Sequence, residues 1–138
     1  EGVSNFFNRL GPDVVEVGVP YIKEGNQFIS EITGIIGLTG QRKGGIFITC
    51  SLPMVDDVSL AYSGMADNSS EARRDMIGEI ANTISGNASD AFGSDFQISV
   101  PVVITGKPER VDMPTRVPTF VIPIQWKNHK AYLVVGVE

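Results

Sequence analysis

The feature that most restricts the fold is the apolar spacing within residues 68–92, NSSEARRDMIGEIANTISGNASDAF. At about 100° per residue, Met76, Ile80, Ile84, Ala88 and Ala91 fall on one side of a helix, with Ile77 beside them. A stripe of that kind has to be covered by another element. Asp75, Glu79 and Asn82 fall on the opposite side. Gly86 lies in their sector and Gly78 at its border. Ser69 or Ser70 can cap the start, and Glu71 suits the positive helix end.

The rest of the chain supplies a partner layer. DVVEVGVPYI alternates and predicts a strand over residues 14–22, with Pro20 suited to an edge. EITGIIGLTGQRKGGIFITCS reads as two strands joined by a polar, glycine-rich turn. A phosphate loop needs G-x-x-x-x-G-K-[ST], whereas Lys43 is followed by Gly44. SLPMVDDVSLAYSG predicts a helix capped by Ser51 and stopped at Gly64, with Met54, Val58 and Tyr62 on one face. FQISVPVVITG is a strand holding Pro101, hence an edge or a bulge. GKPERVDMPTRVP is a loop. TFVIPIQWKNHKAYLVVGVE is two strands around the turn KNHK, with His129 at the surface. VSNFFNRL begins the chain as a short helix.

This order predicts an α+β fold: a mostly antiparallel sheet of about six strands, two long helices and a short N-terminal helix. The 138 residues fit one domain, 1–138. Glu1 stands where a start Met would be, so a piece missing from that end stays open.

Charge narrows the partners. The net charge is −5, and no run of Lys or Arg exceeds two, so nucleic acid is a poor partner. No window carries about eighteen consecutive apolar residues, so no membrane span is expected. The single cysteine, Cys50, allows no internal disulfide and fits a reducing, cytoplasmic setting as a small buried hydrophobe. One His, one Cys and scattered carboxylates form no metal-ligand set.

Glu79 and Asn82 remain the residues with chemistry. At i, i+3 they are neighbours on an exposed face. Gly78 and Gly86 each weaken the helix by roughly 1 kcal/mol relative to alanine, which makes sense where something approaches closely. An ordinary solvated face explains the same residues, and that reading stays open at this point. Asn can orient a water or a carbonyl but is neither nucleophile nor base.

D-x-x-x-E-x-x-N at Asp75, Glu79 and Asn82 resembles the signature of the CheC/CheX/FliY chemotaxis phosphatases. TGIIGLTGQRKGGIFITCS before it and PVVITG after it, with Pro101, stand in the family's order. LPMVDDVSLAYSG lacks E-x-x-N, so the single signature is most similar to the CheX branch. The resemblance runs roughly from Pro20 to the end. It implies hydrolysis of the aspartyl phosphate on a phosphorylated CheY-like response regulator. Asn82 would orient the attacking water and Glu79 would pair with a lysine of the partner. Asp75, Gly78 and Gly86 would serve docking. It further implies Mg2+ held by the regulator, no cofactor bound by this chain, and a homodimer joined through sheet edges. A catalytically silent receiver-binding or dimerising module, and an unrelated α+β domain, are the alternatives.

Overall fold

The computed structural model describes residues 3, 6–7, 10, 15–22, 29–40, 44–65, 67–92, 96–106 and 119–137, with backbone alone for 22, 88–92, 96 and 137. The turn at 41–43, the loop at 107–118 and the side chains of Ala88 and Ala91 lie outside the described set.

The elements whose bounds lie within the described residues are eight strands and two helices: β1 (Val15–Val17), β2 (Tyr21–Ile22), β3 (Ile32–Gly40), β4 (Gly44–Cys50), α1 (Leu52–Ser63), α2 (Ser70–Phe92), β5 (Phe96–Ile98), β6 (Val102–Thr105), β7 (Phe120–Trp126) and β8 (His129–Val137). The strands make one antiparallel sheet in the order β1-β7-β8-β4-β3-β5, with β2 also on β7 and β6 also on β3. The α+β class is as expected. The count rises from about six to eight because the two edge runs each break in two. The first breaks at Gly18–Pro20, where the Gly18 N–H donates to the Pro123 carbonyl at 2.8 Å. The second breaks at Ser99–Pro101.

The helix ends are made by the residues expected. Ser51 Oγ accepts from the Met54 N–H, and Gly64 closes α1 in the left-handed conformation. Ser69 Oγ accepts from the Ala72 N–H at 3.1 Å, so Ser69 rather than Ser70 caps α2.

Strand alternation sorts the apolar side chains onto two faces. On the helix side, Ile32, Ile36, Ile46, Ile48, Ile124 and Trp126 meet Met54, Val55, Val58, Ile77, Ile80 and Ile84 in one core. Val3, Phe6 and Phe7, which are helical, close the end of that core. On the other side Ile29, Phe47, Val121 and Val134 form a smaller buried cluster. The apolar strands β7 and β8 are therefore interior to the sheet. Its described edges are β1–β2 and β5–β6.

Two placements differ from expectation. Tyr62 is exposed rather than on the buried face of α1, because the helix is ending and its ring lies over Phe6. His129 opens β8 and is part-buried, its Nε2 2.5 Å from Asp57 Oδ2 on α1. Cys50 is buried as expected. Burial, and then the nearby Glu31 charge, pushes its thiol up to about 12.

Candidate functional site

α2 lies across β3, with α1, β4, β5 and β6 around it. Met76, Ile77, Ile80, Ala81, Ile84 and Ser85 take its buried side. That seating fixes the rotation of the helix. Asp75, Glu79 and Asn82 are exposed as a consequence.

The three polar residues border an open groove of roughly 660 Å³ between α2 and the β5–β6 edge. Its helix wall also holds Arg74 and Gly78, and its strand wall is Ile98 to Pro101 with Val103. The strand wall is pinned at the break. Gly37 N–H donates to Ser99 Oγ at 2.8 Å, and Ser99 N–H donates to the Gly37 carbonyl at 3.0 Å. Pro101, with no N–H to give a ladder, follows there. A Cβ at Gly78 would lie 3.8 Å from the Pro101 Cβ, so Gly78 faces the groove's own wall. A Cβ at Gly86 would meet nothing within 4 Å. Gly86 thus lies beyond the groove, on open surface.

The polar atoms are lightly held. Thr83 Oγ1 donates weakly to Glu79 Oε1 at 3.4 Å, and Asn87 Nδ2 donates to the Thr83 carbonyl at 2.9 Å. Among the described residues nothing hydrogen-bonds the Asn82 amide. It therefore has both a donor and an acceptor to offer. Among the described residues the groove thus presents two carboxylates, Asp75 and Glu79, the Asn82 amide and one cation, Arg74, against an apolar lip led by Val100, which is 83% exposed.

Cys50 is buried with its thiol protonated, and His129 is engaged with Asp57. Neither lines the groove. An amide with a carboxylate one turn away can orient a water and pair with a cation. Among the described residues no three His, Cys, Asp or Glu side chains gather as a metal site. No described helix is long and apolar enough to cross a membrane.

Sequence reasoning brought Asp75, Gly78, Glu79 and Asn82 to one place. It missed Arg74, which stands on the same helix, and Ser99 and Val100, which join the site only through the pairing of β5 and β6 with β3. The one signal for that wall was Pro101 inside an apolar run.

Solved structures share the whole architecture. CheX from Desulfovibrio desulfuricans is 25% identical, with a TM-score of 0.86 over 99% of this chain and 94% of that one. CheX from Vibrio vulnificus is 24% identical, with a TM-score of 0.88 over 99% and 94%. A CheX–CheY–BeF3–Mg2+ complex from Borrelia burgdorferi is 20% identical, with a TM-score of 0.78 over 99% and 93%. No curated protein matches the chain. The model of the family described as chemotaxis phosphatase CheX matches residues 32–125, from β3 into β7 and across the whole groove, and the chain belongs to that family.

Proposed function

We propose that the chain accelerates hydrolysis of the aspartyl phosphate on a CheY-like response regulator. The observation that carries this reading is the outward pair on α2: Glu79 and the Asn82 amide, which has no hydrogen-bond partner among the described residues, both exposed and bordering one open groove.

An aspartyl phosphate hydrolyses when water attacks phosphorus opposite the carboxylate. The new P–O bond forms as the bond to the aspartate oxygen breaks, leaving free carboxylate and inorganic phosphate, and the water's proton passes to phosphate or solvent. Such a transfer needs placement and charge compensation more than a protein nucleophile. Asn82 orients the water by its amide. Glu79 pairs with a lysine of the regulator and sets the docking register. Asp75, one turn earlier, adds a second negative charge toward that cation. Gly78, facing Pro101, keeps the groove open beside the pair, and Gly86, farther along α2, leaves low surface for the partner's approach. Mg2+ belongs to the regulator, and this chain supplies none. The chain acts in the cytoplasm, where such regulators work. A homodimer joined through sheet edges would use β1–β2 or β5–β6.

The complex of the Borrelia burgdorferi relative with CheY supports the choice of partner. The deciding experiment measures phosphate release from a phosphorylated regulator. Parent protein should speed it, and Asn82→Ala should remove most of the acceleration, on the order of 100-fold for a water-positioning group. Equal rates for parent, Asn82→Ala and Glu79→Ala would overturn the assignment.

A further inference from the structure

The end of α1 and the turn after it carry two exposed apolar side chains, the Tyr62 ring held by stacking and Met65 on a backbone tied to the helix. Tyr62 is 56% exposed and Met65 is 71% exposed. The Tyr62 ring stacks on buried Phe6, with centroids 6.3 Å apart and planes 9° apart. The Met65 N–H donates to Ser63 Oγ at 3.3 Å, and that hydroxyl donates to the Ser59 carbonyl at 2.8 Å. Gly64, at φ +74, makes the reversal between them. Apolar groups fixed before contact lose less entropy on binding than mobile ones. Tyr and Met are also enriched where proteins touch.

Tyr62 and Met65 share a hollow of about 390 Å³ with Asp75 and Glu79. The same two carboxylates border the Asn82 groove. Asp75 and Glu79 are thus a crest between two hollows. The crest is short, since residues 75 to 82 cover about 10 Å of helix. Specific contacts between proteins cover roughly 600–800 Å² on each side, a patch about 14–16 Å in radius. A patch of that radius that covers Asn82 is large enough to extend over the crest onto the α1 turn.

We propose that Tyr62 and Met65 are a second foothold for the receiver domain, gripping it by apolar contact while Glu79 and Asn82 act at its phosphate. This rests on the function proposed above. Among the described residues the charged side chains lining this hollow are Asp67, Asp75 and Glu79, all acidic. The matching receiver segment accordingly pairs an apolar side chain with a lysine or arginine.

The test uses full-length parent, Met65→Ser, the double variant Met65→Ser/Tyr62→Ser, and Asn82→Ala. Affinity is read against a chemotaxis receiver domain loaded with beryllofluoride and Mg2+, and turnover against the same domain phosphorylated. Met65→Ser should raise Kd and KM roughly threefold and the double variant roughly tenfold, with kcat within about twofold. Asn82→Ala should lower kcat and leave Kd near that of the parent. Parent-like Kd and KM in both foothold variants overturn the foothold and leave the phosphatase reading standing. So does a fall in kcat at unchanged KM. A parent that neither binds nor dephosphorylates a panel of receiver domains overturns both. Met65→Ser decides the matter if loss of the Phe6 stack unfolds the double variant.

Discussion

Gly34 on β3 and Ile77 on α2 approach so closely that a Cβ at Gly34 would lie 3.0 Å from the Ile77 carbonyl oxygen and 3.3 Å from the Ala81 Cβ. The helix can settle onto the strand only because that side chain is missing. Ile77 and Ala81 point down at this contact, so Glu79 and Asn82 point away from it. Gly34→Val should cost about 1–3 kcal/mol by overpacking, and Gly34→Ala less. Urea unfolding monitored by circular dichroism measures both. A parent-like midpoint for Gly34→Val would mean that the helix sits farther from the sheet.

Gly86 offers the opposite case. Its missing side chain faces open space, so Gly86→Ala should stabilise α2 by up to about 1 kcal/mol. Under the proposed docking, the added methyl group should also raise KM for the phosphorylated regulator. Stability and KM measured on one preparation separate the two effects.

His129 and Asp57 tie the start of β8 to α1 across 72 residues of sequence. The pair is only part-buried, so its net worth is on the order of 0.5–1 kcal/mol. A double-mutant cycle with His129→Ala and Asp57→Ala should return a coupling of that size. A coupling near zero would show that the contact adds nothing to stability in solution.

Cys50 makes a prediction about alkali. Its pKa stands at about 12 in the fold against an ordinary value of 9.0. Above pH 9 the unfolded chain binds fewer protons at this thiol than the folded one. The stability this group contributes is therefore complete below about pH 9 and lost progressively as pH rises toward 12. Cys50→Ala should flatten that alkaline fall in Tm while lowering stability at pH 7 through the lost side chain. The native thiol should also resist alkylation at pH 8 until the protein unfolds.

The helices were legible because periodicity and caps agreed. Ser51, Gly64 and Ser69 all do what their residue types favour, and the Met76–Ile84 stripe is buried. The central hairpins were legible for the same reason. The edge runs were read too long, because alternation continues through Gly18–Pro20 and Ser99–Pro101 although the ladders do not. Tyr62 was read onto the face of Met54 and Val58, and spacing alone does not show that α1 ends there with the ring exposed. His129 was taken for a surface residue because its partner lies on another element. The polar half of the site could be read on one helix. Its opposite wall could not, because Ser99 and Val100 come to it from the β5–β6 edge, and the proposed foothold of Tyr62 and Met65 comes from a second segment, the end of α1.

Asp75 and Glu79 belong to both hollows, whereas Asn82 borders one. On the proposed reading, editing either carboxylate therefore disturbs grip and chemistry together, and its kinetics will not divide cleanly between them. Asn82 on the strand side and Met65 on the turn side can be altered singly. They are the two handles by which a silent yet tightly binding decoy, or a weakly held but competent catalyst, could be made from this scaffold.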